Sequence, residues 1–329
     1  MAWHAVPCSE VDRAILRFFP VPAIHDAICS TINRRRGHGS ALAPPTPSRL
    51  ILSMPPRRTA IVTGGASGLG RALCRRLARD GWEIAICDID EVGAAETLQF
   101  VRDAGGEGRV ERLDVTDAAA WSSLRKRLET DWPQLDLLIN NAGVAVSGEV
   151  GQCALEDWHW IVNINIWNAI HGCHTFVDWL KRNPRGGYLI NTASLAAIGS
   201  FPGMAAYNLT KAAVVSLSET LHAELRPHGV GVTVLCPSFF PTSLLDSARF
   251  STEHDQRMAR SEFLQSRLTA DAVADAAVAA MHARRLYVVL PAKGRWIWWL
   301  KRLSPTLFFW AVAREVNRRV ARAARPDVP

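Results

Sequence analysis

Ala60-Ile61-Val62-Thr63-Gly64-Gly65-Ala66-Ser67-Gly68-Leu69-Gly70 is the stretch that decides the fold. An apolar β-branched run leads directly into a glycine-rich turn, and a helical period follows at once. Glycines allow a tight turn and let the backbone approach a pyrophosphate closely, while the helix N-terminus offers free N–H groups and partial positive charge. Gly64, Ser67, Gly68, Leu69 and Gly70 are therefore candidate cofactor contacts.

Working outward, short β-branched runs alternate with helical periods. Strands are expected at 59–63, 83–87, 109–113, 135–139, 187–191, 230–236 and 286–290. Helices are expected at 69–80, 91–103, 117–131, 155–182, 205–226 and 270–283, with an irregular, mobile segment at 238–268. Strands spaced by helices imply βαβ units. Right-handed crossovers put helices on both faces. The expected fold is α/β: a Rossmann-type, doubly wound, mostly parallel seven-stranded sheet.

The second strand ends in Asp88, about 20 residues past the glycine turn, where a carboxylate accepts hydrogen bonds from adenosine ribose hydroxyls. It would repel a 2′-phosphate, and neither Ser67 nor Ile89 is basic, so the pattern favours NAD over NADP. Asp114 and Val115 follow the third strand and suit the adenine edge. Asn140-Asn141-Ala142-Gly143 follows the fourth and puts small residues on the cofactor's path. Tyr207 and Lys211 lie four apart on one helix, hence on one face. A nearby ammonium and a cationic nicotinamide would lower a tyrosine pKa from its usual value of about 10, giving an acid or base useful near neutral pH. Ser194 lies thirteen residues before Tyr207, and Asn165 sits on the long helix, where a buried amide needs partners.

In this order and spacing the residues resemble the classical short-chain dehydrogenase/reductase family. The match spans about 57–290 and rests on Thr63, Gly64, Gly68, Gly70, Asp114, Asn140 to Gly143, Asn165, Ser194, Tyr207, Lys211 and Pro237 to Thr242. The resemblance implies a role for each catalytic position. Tyr207 is the general acid/base and Ser194 holds the substrate oxygen. Lys211 binds the nicotinamide ribose and lowers the Tyr207 pKa. Asn165 holds a water of the proton relay, and Pro237 and Thr242 complete the cofactor site, Thr242 at the carboxamide. It also implies a homo-oligomer, a dimer or tetramer. One departure is Pro237-Ser238, where the family usually has Pro-Gly.

Val144, Leu195, Phe201, Met204, Phe239, Phe240, Leu244 and Leu245 are the candidate pocket residues, with Leu195 and Phe239 beside Ser194 and Tyr207 as substrate contacts. They suit a lipophilic secondary alcohol or ketone. The expected activity is hydride transfer between nicotinamide and such a substrate. Alternatives are an NADP-linked carbonyl or ketoacyl reductase and, in another class, a non-catalytic cofactor-binding scaffold.

Charge and cysteines bound the remaining choices. The net charge is +7, but residues 1–58 hold eight Arg against three acids and 293–325 hold nine bases against one acid, while 59–292 hold 21 bases against 26 acids. A mildly acidic body does not suit nucleic acid. Seven scattered cysteines without CxxC spacing read as reduced core residues of a cytoplasmic protein, with no metal site. Residues 1–56, with Arg34 to Arg36 and five prolines after residue 43, read as a flexible leader, Met54 being an alternative start. Residues 291–329 form a basic aromatic tail with Trp296, Trp298, Trp299 and Trp310. From Thr306 a helix would align Phe309, Val312, Val316 and Val320 against Arg314, Arg318, Arg322 and Arg325. This suits either peripheral contact with a membrane or packing on the body or a partner subunit.

Overall fold

Alternate residues of the apolar strands point to opposite faces, and both faces of this sheet are covered. The computed structural model describes residues 57–323. Nine strands run in chain order: β1 (Thr59–Thr63), β2 (Glu83–Asp88), β3 (Glu107–Arg112), β4 (Leu137–Asn140), β5 (Val146–Ser147), β6 (Tyr188–Thr192), β7 (Gly231–Pro237), β8 (Arg249–Phe250) and β9 (Tyr287–Leu290). Seven form one sheet in the order β3-β2-β1-β4-β6-β7-β9, with every neighbour parallel. The remaining two, β5 and β8, pair as a small second sheet.

Ala60 and Val62 pack on one face with Leu73 and Leu77 of α1 (Gly68–Arg79), Val101 of α2 (Glu91–Asp103) and Val278 of the helix Ala270–His282. Ile61 packs on the other with Trp121 of α3 (Ala118–Asp131), Phe176 of α4 (Leu155–Arg182) and Leu221 of the helix Ala205–Leu225. Between β1 and β4 the direction of winding reverses, which opens a crevice at the strands' carboxyl ends. That crevice receives the ends carrying Thr63, Asp88, Asn140 and Thr192.

Two helices follow β6: the short α5 (Leu195–Gly199), then the long α6 (Ala205–Leu225). The expected irregular segment at 238–268 is instead structured. It contains a 3-10 turn (Ser243–Leu245), β8 and α7 (Glu253–Gln265). The hydroxyl of Thr252 caps α7 by accepting the Asp255 N–H at 3.1 Å. Of its side chains only Phe263 is buried, so α7 displays no apolar period to read. After α8 (Ala270–His282) and β9, the tail forms α9 (Gly294–Leu303) and α10 (Pro305–Ala323). Body and tail belong to one compact unit, Pro55–Pro329. The Arg-rich, Pro-rich leader and the alternative start at Met54 lie outside the described residues, as do the side chains of Val320, Arg322 and Arg325.

Candidate active site

The glycine turn is held in one shape by close contacts. Gly64 and Gly68 have φ of 65° and 50°, the left-handed region. A Cβ on Gly64 would lie 2.8 Å from Ala142 Cα, and one on Gly70 would overlap the Gly64 carbonyl oxygen. Beneath the turn, the fully buried Thr63 hydroxyl accepts the N–H groups of Asn141 and Ala142 at 2.9 and 3.0 Å and meets Asn168 Oδ1 at 3.2 Å. Asn141 Nδ2 donates back to Thr63 O at 3.0 Å, and Asn168 Nδ2 to Ala142 O at 2.9 Å. The ends of β1 and β4 are thus stitched to α4. Asn168 and Thr192 are contributors the sequence reading missed; Asn168 lies three residues past Asn165 on the same helix face, which is the available signal.

The turn leaves the first N–H groups of α1 without intrahelical partners. Ser67, the N-cap, makes no capping bond. Its hydroxyl instead pairs with Ser243 Oγ at 2.6 Å across the groove. At the far end Asp88 accepts Ala66 N–H at 2.9 Å and Asp90 N–H at 3.0 Å, leaving lone pairs free toward the crevice. Asp114 accepts the N–H and hydroxyl of Thr116, and Val115 lies beside it. Arg71 is spent on Ala66 O and Glu96, and Arg112, the register partner of Asp88, pairs with Glu91. A dinucleotide fits this set: a bare turn and helix N-terminus for the pyrophosphate, and carboxylates for ribose hydroxyls.

Tyr207 and Lys211 share one face of α6. Lys211 Nζ lies 5.7 Å from the Tyr207 ring centre and donates to Thr192 O at 3.0 Å. A Cβ on Gly143 would come within 3.2 Å of that nitrogen, so the small residue keeps the space open. Ser194 caps α5: its Oγ accepts Ala196 N–H at 3.1 Å and donates to Pro237 O at 3.3 Å. Burial pushes the Tyr207 phenol up to about 12, with the Ser194 hydroxyl hydrogen-bonded to it pulling the other way. Burial pulls the Lys211 ammonium down to about 8. The expected lowering is the joint work of the Lys211 ammonium and a cationic nicotinamide; with no positive ring beside it, burial sets the Tyr207 value. In this interior Lys211 is itself reluctant to carry charge and spends a donor on Thr192, so desolvation outweighs attraction. A positive ring beside Tyr207 would reverse the balance.

Asn165 is held by three side-chain hydrogen bonds. Its Oδ1 accepts Val144 N–H at 2.8 Å, and its Nδ2 donates to Val144 O at 2.9 Å and Thr210 Oγ1 at 3.1 Å. The side chain is buried and does not line the cavity. It is a positioning residue that clamps the chain after Gly143. Ser238 resolves the Pro-Ser departure: its N–H donates to Leu290 O at 2.8 Å, and the non-glycine residues with positive φ among those described are Ser200 and Arg284. The site therefore loses nothing that glycine alone could supply.

The whole groove encloses about 1300 Å³. Val144, Leu195, Phe201, Met204, Phe239, Phe240, Leu244 and Leu245 all line it, as do Ser194, Tyr207, Lys211, Pro237 and Thr242. The outer wall was not foreseen: Met258 and Phe263 of α7, Ile297 of α9, and Val312 and Val316 of α10. Val312 and Val316 line the groove from the face the sequence suggests, but Phe309 on that face is exposed while its neighbour Phe308 is buried. Ile297 and Trp298 pack against the body, Trp298 with its ring centre 4.6 Å from that of Tyr287. Lys301 Nζ donates to Ile198 O at 2.8 Å and Ser200 Oγ at 3.0 Å. Among the described residues, Lys211 is the one Lys or Arg in the lining, against Asp88, Asp114, Glu149, Asp255, Glu262 and Glu315.

Comparison with known proteins places this geometry. The profile of the short chain dehydrogenase family matches residues 58–252. A probable oxidoreductase of Mycobacterium tuberculosis, EphD, is 33% identical over 189 residues, 57% of this chain and 32% of that protein. The chain thus spans about a third of that relative's length. The L-2,3-butanediol dehydrogenase of Corynebacterium glutamicum is 34% identical over 189 residues, 57% of this chain and 73% of its own. Among solved structures, a short chain dehydrogenase/reductase from Burkholderia phymatum in complex with NAD superposes with a TM-score of 0.69 at 32% identity, covering 73% of this chain and 92% of that one. With the glycine turn and the Ser194–Tyr207–Lys211 cluster both falling inside the matched region, the chain belongs to the short chain dehydrogenase family.

Proposed function

We propose that the chain interconverts a lipophilic secondary alcohol and its ketone with NAD as the hydride carrier. The observation that carries this reading is the lining of the groove that holds Ser194 and Tyr207: apolar side chains such as Leu195, Phe201, Met204 and Phe239, with Lys211 the sole Lys or Arg among the described residues. An anionic substrate would meet apolar surface there, and so would a ketoacyl group on a phosphate-bearing carrier. The Asp88 carboxylate at the adenosine end likewise disfavours a 2′-phosphate, hence NAD over NADP. The resemblance to a diol dehydrogenase supports a CH–OH substrate. Buried, free Cys74, Cys87, Cys153, Cys173 and Cys236 are in keeping with a cytoplasmic setting.

When bound, the nicotinamide would accept or supply the hydride at the carbinol carbon. In the oxidation direction the Tyr207 phenolate would take the hydroxyl proton as the hydride leaves, so the alcohol gives up one proton and one hydride and becomes the ketone. Ser194 Oγ donates to the substrate oxygen and holds it against Tyr207. The Lys211 ammonium beside Tyr207 would favour the phenolate before it takes the proton. A panel of lipophilic secondary alcohols with NAD or NADP, read at 340 nm, tests the reading. NAD should be preferred at least about tenfold, roughly 1.4 kcal/mol, and Asp88→Ala should narrow the gap. Equal use of both cofactors would overturn the assignment of Asp88, and NAD binding without turnover on any alcohol or ketone would favour the scaffold alternative.

A further inference from the structure

The two C-terminal helices are apolar on both sides. Their inner face is spent on the body and the cavity through Ile297, Phe308, Val312 and Val316. Their outer face exposes Trp296 (77%), Trp299 (57%), Leu303 (80%), Leu307 (52%) and Trp310 (58%). On α9, Trp296, Trp299, Leu300 and Leu303 follow an i, i+3, i+4, i+7 spacing, a continuous stripe. Three exposed indoles so close together are not an ordinary scatter of surface residues.

Charge says what covers the stripe. Residues 293–325 carry nine bases and one acid. Exposed Arg295, Arg302 and Arg314 border the stripe, and the Arg314 guanidinium lies 5.4 Å from the centre of the Trp310 ring. Indoles favour the headgroup layer of a bilayer, and bases beside them favour anionic lipid. Tail-to-tail pairing of two copies would oppose two surfaces of the same strong positive charge. Residues 1–58, with eight Arg and three acids, carry the same sign. Among the described residues no helix is long and apolar enough to cross a membrane.

We propose that the outer face of α9 and α10 docks on an anionic phospholipid surface. The cavity wall formed by Val312 and Val316 then stands one helix thickness, about 10 Å, from the lipid. A substrate dissolved in the bilayer would reach Tyr207 past α10; this delivery step rests on the alcohol–ketone reading, whereas the docking does not.

The test is flotation of the full chain with vesicles of phosphatidylcholine alone or with about 30 mol % phosphatidylserine. Anionic vesicles should bind at least about tenfold more strongly than neutral ones at low ionic strength and release the chain at about 0.5 M salt, where screening is nearly complete. The triple variant Trp296→Ser, Trp299→Ser, Trp310→Ser should lose at least about tenfold in binding. It should keep its circular dichroism and its turnover on a short water-soluble alcohol, since none of the three lines the cavity. The leader's charge is the same in both proteins and so drops out. Equal binding to neutral and anionic vesicles, undiminished binding by the triple variant, or no vesicle binding at all would overturn the docking. Self-association removed by the triple variant, in a chain that ignores vesicles, would assign the stripe to a contact with the acidic body of a second copy. Turnover without docking sinks the lipid surface alone, and docking without turnover sinks the enzymatic reading alone.

Discussion

The two halves of the groove are built on different principles. The glycine edge, from Thr63 to Ala142, is pinned by short polar contacts between side chain and backbone: Thr63 to Asn141 and Ala142, Asn141 to Thr63, Asn168 to Ala142. The outer wall, from Met258 to Val316, leans on the cavity through apolar side chains of which only Phe263 is buried, and Lys301 ties α9 to the body by donating to Ile198 O. Directional bonds in a dry interior fix atoms to within a few tenths of an ångström, as hydride and proton transfer demand. Non-directional apolar contact fixes volume only and can be re-cut without disturbing the chemistry. On the proposed reading the first half would place the cofactor and the second would shape the space left for substrate.

The comparison is broken most sharply at Tyr207. Tyr207→Phe keeps the ring and its packing but removes the transferable proton, and Ser194 loses its phenolic partner. Turnover should fall by about a thousandfold or more, the upper part of the range for a positioned acid or base. NAD affinity and melting temperature should stay close to those of the unsubstituted chain. The loss should be equal for small and bulky alcohols, because Tyr207 acts on the reacting oxygen and not on substrate shape. Retention of more than a few per cent of the rate would remove Tyr207 from the proton's path.

The stitching itself is tested at Thr63. Thr63→Val keeps the shape but leaves the Asn141 and Ala142 N–H groups without their shared acceptor in a buried place. The expected cost is about 3 kcal/mol, or a melting temperature lower by roughly 6–10 °C, with weakened NAD binding as Gly64 and Ala142 drift apart. A stable variant with normal cofactor affinity would show that the glycine contacts suffice without the hydroxyl.

The same contrast explains what was legible beforehand. Residues of the glycine edge announce themselves because the backbone needs particular types there: Gly64 and Gly70 admit no Cβ, and Asp88 must carry a carboxylate. The Tyr207–Lys211 spacing is set by one helical turn. The strands show because apolar alternation feeds two packed faces; even so, β3 begins two residues early, its Glu107, Arg109 and Glu111 lying on the sheet's edge strand where polar side chains are tolerated. The outer wall is silent for the opposite reason. Helix α7 buries Phe263 alone, so its pattern looks like loop, and the choice of Phe308 over Phe309 depends on the rotation of α10 against a surface no local sequence encodes. The Tyr207 pKa is half legible for a related reason: spacing shows a nearby ammonium, but only the fold shows how dry both groups are.

Lys211 sharpens the electrostatic side. Its ammonium is held at about 8 in the fold, below the usual 10.5. Between those values the unfolded chain binds the proton and the folded chain does not, so this group makes stability rise with pH, and the penalty is largest below pH 8. The buried thiols of Cys74, Cys87, Cys173 and Cys236 are pushed up from 9 and act in the opposite sense above that pH. The difference in unfolding free energy between the unsubstituted chain and Lys211→Met isolates the lysine. Between pH 8 and 9 that difference should move in favour of the unsubstituted chain by up to about 1.4 kcal/mol. A flat difference would mean that Lys211 is charged in the fold well above pH 8.

The smallest effect belongs to the wall. Val312 and Val316 face the cavity from α10 with half-buried side chains. Val316→Ala removes two methyl groups from the distal part of the site and touches no element of the stitched edge. Its melting temperature should change by less than about 2 °C, the scale of a lightly buried substitution. What should change is selectivity: kcat/KM for a bulky apolar alcohol should fall about three- to tenfold, less than the roughly tenfold or more of a methylene in an enclosed pocket because Val316 is only half buried. For a short alcohol that does not reach α10 it should stay within about twofold. A uniform fall in both, or a fall in NAD affinity, would tie α10 to the glycine edge and erase the division between the two halves. Unchanged kcat/KM for alcohols of every length would move the substrate away from α10 and leave the outer wall without a part in choosing it.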